Sequence, residues 1–176
     1  MKYRQLGKYG IRLSAIGIGS WLTYGMSIND KTALNCIKTA IENGIIFFDT
    51  ADIYNKGEAE LSLGRIFFDE LKITREDVVI ASKCFWPMSQ NPNDQGLSRK
   101  HVFESVHKSL KRLKTDYIDI YQCHRHDPNT PMEEICRSFN DLILQGKLLY
   151  WGVSEWSAEN IDEAAAVCEK YNLHRP

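Results

Sequence analysis

Four residues carry side chains that could act together as an acid catalyst: Asp49, Tyr54, Lys83 and His124. Each stands at or just beyond the end of a short apolar run. The stretch IIFFDTADIY leads four bulky apolar residues into Asp49 and places Tyr54 five positions later. Lys83 follows VVIAS, and His124 follows DYIDIYQC. A phenol has an ordinary pKa of about 10, too high for easy proton donation near neutrality. A neighbouring ammonium stabilises the phenolate and lowers that value. An ammonium at the end of an otherwise buried strand needs a counter-charge, which a carboxylate supplies. A neutral imidazole can hydrogen-bond a substrate oxygen and orient it. The set suits protonation of an oxygen that develops alkoxide charge, as in carbonyl reduction. Taken singly, each residue also has a plain structural reading: Asp49 as a helix cap or ion pair, Tyr54 as a loop tyrosine, His124 as a satisfied core histidine.

The elements that must position these groups alternate. LSAIGIGS reads as a strand, and DKTALNCIKTAIENG as a helix with Leu34, Ile37 and Ile41 at helical spacing and Gly44 as its stop. IIFFDT is a strand, GEAELSLGRIFFDEL a helix and DVVIASK a strand. SRKHVFESVHKSLKRL puts Val102, Val106, Leu110 and Leu113 on one stripe, with Ser98 as N-cap. DYIDIYQCH is a strand. TPMEEICRSFNDLILQG is a helix opened by a Thr130–Glu133 capping box, with Pro131 at its first position and Gly146 as its stop. LLYWGVS is a strand, and SAENIDEAAAVCEKY a helix capped by Ser157. A hairpin pairing Tyr3–Gln5 with Ile11–Leu13 precedes them.

Strand and helix thus alternate five times, which is an α/β pattern with a parallel sheet covered by helices. A doubly wound open sheet and a (β/α)8 barrel both fit. Gly17-x-Gly19 begins a dinucleotide fingerprint, but its third glycine would fall on Leu22, so the fingerprint fails. In a barrel, functional residues gather where strands end. Those positions hold Ser20 and Trp21, Asp49 with Tyr54, Lys83, His124 and Ser154.

These residues and their surroundings resemble the catalytic tetrad of the aldo-keto reductases. MKYRQLGKYGIRLSAIGIGSW resembles the family's opening hairpin and first strand, and FFDTADIY its aspartate–tyrosine motif. GLSRKHVFESVHKSLKRLKTDYIDIY and DPNTPMEEI are most similar to the branch holding the β subunits of voltage-gated potassium channels and their bacterial oxidoreductase relatives. The resemblance implies a TIM-type (β/α)8 barrel that binds NADPH/NADP+ without a Rossmann fold and reduces a small aldehyde or ketone. It implies Tyr54 as proton donor, Lys83 as the partner lowering its pKa, Asp49 as counter-ion to Lys83, and His124 as the group orienting the carbonyl. Ser20 and Trp21 would lie by the nicotinamide and substrate, Ser154 would bind the nicotinamide carboxamide, and Asp49 would also touch the cofactor. Glu155 stands where the family usually has asparagine and the channel branch arginine; a carboxylate accepts from the carboxamide NH2 but cannot donate to its carbonyl. Trp21, Tyr54 and His124 would touch substrate, and Phe85 and Trp86, directly after Lys83, would supply an apolar substrate wall.

The chain has 176 residues, enough for one domain, read as a single truncated barrel domain over residues 1–176. The resemblance implies that barrel strands six to eight, and loops clasping the adenosine and 2′-phosphate, would follow NLHRP. The isolated chain is therefore expected to bind NADPH weakly. A homo-oligomer or a separate C-terminal half would close the barrel. Net charge is −1, which gives no basis for a nucleic-acid face or an anionic-membrane surface. No apolar run approaches the roughly 18 residues of a membrane span, and no leader is visible. Five cysteines without a C-x-x-C pair point to reduced thiols in a cytoplasmic protein, with no metal site. Three other readings compete. His124 and His126 could share a strand face as metal ligands. Lys83 could form a Schiff base. The chain could be a regulatory subunit like the channel β subunits, with a vestigial site.

Overall fold

The structure, a computed structural model, describes residues 1–24 and 27–176. A hairpin comes first: β1 (Tyr3–Gln5) pairs antiparallel with β2 (Arg12–Ser14). The expected single strand LSAIGIGS is in fact two. Ser14 ends β2 by donating to the carbonyl of Ile16 at 2.7 Å and accepting from Ile46 and Phe47 N–H, so β3 (Gly17–Gly19) starts afresh. The partner of β1 is accordingly one residue further along than the expected Ile11–Leu13.

Five parallel strands follow in chain order: β3, β4 (Phe47–Asp49), β5 (Val79–Cys84), β6 (Ile118–Cys123) and β7 (Leu148–Val153). Neighbours in sequence are neighbours in the sheet, which is barrel order rather than doubly wound order. The helices are α1 (Asp30–Glu42), α2 (Glu58–Gly64), α3 (Arg99–Leu113), α4 (Met132–Leu144) and α5 (Ala158–Lys170). A 3-10 turn over Tyr54–Gly57 precedes α2, and a π turn over Arg65–Glu70 continues it.

Local chemistry explains most of the boundaries. Asn29, Ser98 and Ser157 cap α1, α3 and α5, accepting from the N–H of Thr32, His101 and Asn160. Gly44 ends the α1 region with φ +77°. The expected capping box of α4 does not form. Thr130 instead donates its hydroxyl to Asp127, and Pro131 is the extended cap residue itself (ψ 136°) rather than the first helical one.

The main core lies between one sheet face and the helices. Val102, Val106, Leu110 and Leu113 of α3 and Phe139 of α4 are all buried there, with Phe48, Ile80 and Tyr121 of the sheet opposite. On the other sheet face, Val79, Ala81 and Ile120 form a smaller cluster with Leu6, Ile11 and Leu13 of the hairpin region. The hairpin thus closes one end of that inner face. The central strand β5 is buried at every position, while Gly17, Gly19 and Leu149 on the outermost strands are exposed. That gradient is what an open sheet of barrel type produces.

Candidate active site

The parallel ladder continues past each strand end and sets the site's geometry. Ser20 N–H bonds to Asp49 O, Thr50 N–H to Ala81 O, His124 N–H to Cys84 O and Ser154 N–H to Cys123 O, all at 2.8–3.0 Å. The residues that leave β3, β4, β6 and β7 are therefore held level with one another. Asp49 pairs in register with Ala81, so its carboxylate faces Lys83 two positions further along β5. Lys83 shares the inner face with Val79 and Ala81.

The ammonium of Lys83 uses its three N–H donors on three acceptors. These are Asp49 Oδ1 at 2.6 Å, Thr50 O at 2.9 Å and Tyr54 Oη at 3.5 Å. Asp52 N–H bonds to Lys83 O, and this carries the chain across β5 so that Tyr54 arrives above the lysine. The His124 ring meets Tyr54 edge-on with centroids 5.7 Å apart, and Trp86 at 6.3 Å. Trp21 stacks on Tyr54 at 6.4 Å and is 65% exposed. One cleft of about 740 Å³ is lined by Ser20, Trp21, Asp49, Tyr54, Lys83, Trp86, His124, Ser154 and Glu155. Every site residue expected from sequence is there except Phe85. That ring packs on the core and lines a separate surface depression with Trp86, Gly96 and Asp127.

The electrostatics match expectation for the histidine and reverse it for the phenol. Burial, then the charges of Lys83 and Arg125, push His124 down to about 4, so its imidazole is neutral near pH 7. Tyr54 was expected below its ordinary value. It is raised instead, first by burial and then by the Asp49 carboxylate, with Arg125 opposing. Burial disfavours the phenolate, and the Asp49 carboxylate, paired with Lys83 at 2.6 Å, adds its own repulsion.

Several lining residues were not foreseen: Leu22, Tyr24, Ile53, Asn55, Lys56 and Arg125. Arg125 had a signal, a cation directly after the strand-end histidine. Leu22 had none. Four of these cleft residues, counting Glu155, hold left-handed backbone: Leu22 (φ 64°), Asn55 (48°), Lys56 (51°) and Glu155 (55°). Each costs roughly 1–2 kcal/mol for a residue with a Cβ, so the surrounding fold imposes them. Glu155 was expected toward a carboxamide; its Oε1 lies 3.0 Å from Arg125 Nη2.

The metal reading loses its geometric basis. β6 ends at Cys123, so strand alternation does not reach His126, whose ring packs on Trp156 at 5.1 Å. Among the described residues no three metal-binding side chains converge. An imine-forming amine needs its lone pair, whereas Lys83 Nζ is committed as a donor. No helix among the described residues is long and apolar enough to cross a membrane.

The cleft combines a phenol, a paired ammonium and a neutral imidazole facing one volume, an arrangement able to hydrogen-bond and protonate a substrate oxygen. Comparisons with known proteins point the same way. The sequence model of the Aldo/keto reductase family matches residues 15–173. The chain is 44% identical over its full length to a protein of Oryza sativa subsp. japonica named "Probable voltage-gated potassium channel subunit beta", covering 53% of it. It is 43% identical to a protein of the same name from Arabidopsis thaliana, again covering 53% of that protein. The chain spans about half the length of these curated relatives. A solved thermostable aldo-keto reductase, Tm1743, in complex with the inhibitor epalrestat superposes with TM-score 0.81 at 33% identity, over 95% of this chain and 58% of that one. The chain belongs to the aldo/keto reductase family.

Proposed function

We propose that this chain carries the catalytic face of an NADPH-dependent carbonyl reductase, with Tyr54 donating the proton to the substrate oxygen. The observation that carries the reading is the three-way contact of Lys83 with Asp49, Thr50 O and Tyr54 beside a neutral His124. Asp49 holds Lys83 in place, Lys83 holds the phenol oxygen, and His124 orients the carbonyl. The raised pKa of Tyr54 does not disable it. An alkoxide is about as basic as hydroxide, far more basic than a phenolate, so even a weakened phenol gives up its proton downhill. Burial also keeps the phenol protonated until the substrate oxygen demands the proton.

The residues present fit the nicotinamide end of the cofactor. Ser20 Oγ lines the cleft, is buried and has no partner among the described residues; Ser154 lies in the same wall, and Trp21 offers an exposed ring beside Tyr54. Ser20, Trp21, Asp49 and Ser154 would hold that end. Glu155 would join them only by leaving Arg125. When bound, the cofactor supplies the hydride; the protein supplies orientation and the proton.

The test is consumption of NADPH with an aromatic aldehyde, followed over a range of cofactor concentrations. Turnover that Tyr54→Phe abolishes supports the reading. Turnover indifferent to Tyr54→Phe removes it. Direct titration of NADPH fluorescence measures the cofactor affinity separately.

A second reading takes the names of the plant relatives at face value and makes the chain part of a channel-associated subunit. Its test is co-purification with a potassium channel. The neutral His124 in contact with Tyr54 favours the enzyme.

A further inference from the structure

The proposed reaction uses Asp49, Tyr54, Lys83 and His124 and leaves Arg125 without a role, although Arg125 lines the same cleft. It follows His124 directly, so the two side chains start from one strand end. Its guanidinium is held on three sides. Nη1 donates to the carbonyl of His124 at 2.6 Å. The group lies over the Trp86 ring, 5.5 Å from its centroid. Nη2 reaches Glu155 at 3.0 Å.

All three partners line the cleft, but the third is replaceable. The Glu155 side chain is 69% exposed, and an exposed carboxylate contributes little to holding an arginine. Lys83, by contrast, is committed to Asp49, Thr50 O and Tyr54. Arg125 is thus the cation in the wall whose anionic partner a ligand can displace. A guanidinium presents its N–H groups as a flat fork that matches a carboxylate. Charge sets the class further. The lining residues Lys56, Lys83 and Arg125 against Asp49 and Glu155 leave a net +1, which a monoanion neutralises and a dianion exceeds.

We propose that Arg125 determines specificity by receiving the carboxylate of a carbonyl substrate, and that Glu155 is an internal stand-in which that carboxylate displaces. The substrate class is then an aldehyde or ketone bearing a remote carboxylate, its carbonyl at Tyr54 and His124. This rests on the carbonyl-reductase reading above.

The test is calorimetric binding of 4-carboxybenzaldehyde and of its neutral analogue 4-carbamoylbenzaldehyde to the 176-residue protein. The carboxylate is expected to bind about tenfold tighter, a preference that shrinks with added salt. Arg125→Gln removes the preference. Glu155→Gln, at an exposed position that leaves folding intact, strengthens carboxylate binding several-fold by removing the competitor. Equal binding of the two aldehydes, a preference retained in Arg125→Gln, or weaker carboxylate binding in Glu155→Gln overturns the assignment. If Arg125→Gln does not fold, the Glu155→Gln and salt measurements decide. Because the readout is binding, a lack of turnover with the preference intact counts against the reductase reading alone. Turnover without the preference counts against Arg125 alone.

Discussion

Lys83 Nζ and Asp49 Oδ1 lie 2.6 Å apart on neighbouring strands, the lysine side chain 8% exposed and the aspartate 32%. The two ends of this pair are not equivalent. Removing the carboxylate strands a buried ammonium, while removing the ammonium leaves a carboxylate that water reaches. Asp49→Ala should therefore destabilise the fold by about 2–4 kcal/mol, somewhat below the range for fully buried pairs. Lys83→Met, which keeps the apolar stem, should cost clearly less. Urea unfolding of the two variants measures the asymmetry; equal losses would contradict it.

Asp49 also governs the phenol. Burial raises the Tyr54 pKa first and Asp49 second. Asp49→Asn removes the second contribution and frees the charge of Lys83 to act on the phenolate. The Tyr54 titration, followed by ultraviolet difference between wild type and Tyr54→Phe, should move to lower pH in that background. Movement to higher pH would show that Lys83 needs its counter-ion to stay beside the phenol.

His124 is pushed down to about 4 by burial and by the flanking cations Lys83 and Arg125. A histidine with a folded pKa below its unfolded value of about 6.5 binds fewer protons in the fold. Its contribution to stability is intact above about 6.5 and is lost as pH falls from there toward 4. Proton NMR of the His124 ring should show a midpoint near 4, and Lys83→Met should raise it. A midpoint near 6.5 in the wild type would refute the assigned surroundings.

Behind the site, Asp52 is 1% exposed, and neither carboxyl oxygen has a hydrogen-bond partner among the described residues. Burial, followed by the Glu60 carboxylate, holds its pKa well above the ordinary value, against the pull of Arg112. Here the fold binds more protons than the unfolded chain. Stability from this group is full below about 3.9 and declines as pH rises past it. Asp52→Asn should therefore stabilise the protein at pH 7, by on the order of 1 kcal/mol or more, and by less near pH 4. Thermal melts at the two pH values test the sign.

Gly64 tests how closely α2 approaches α3. A Cβ there would stand 2.5 Å from Arg112 O and 2.7 Å from the carbonyl carbon of Leu113, both backbone atoms that cannot swing away. Alanine gains up to about 1 kcal/mol of helix propensity over glycine. Forcing the two helix backbones apart costs about 1–3 kcal/mol. The clash should win, so Gly64→Ala lowers the unfolding midpoint.

What local sequence determined is what short-range physics controls. The alternation of strand and helix, the Val102–Leu113 stripe and the caps at Ser98 and Ser157 depend on periodicity and on hydrogen bonds a few residues long. So does the appearance of a polar or ionisable residue at each strand end. The resemblance carried by IIFFDTADIY and its companions singles out Asp49, Tyr54, Lys83 and His124 among them. Tertiary structure decided the rest, because distance across strands and access to water are not local quantities. The β4–β5 register brings Asp49 onto Lys83, and burial together with that carboxylate reverses the expected shift of Tyr54. Thr130 met every local rule for a capping box, yet its hydroxyl donates to Asp127 and the helix cap falls one position later, on Pro131. Phe85 and Trp86 are adjacent in sequence, but only the indole turns into the cleft. Arg125 and Glu155 are thirty residues apart, and only the neighbouring ends of β6 and β7 make them a pair.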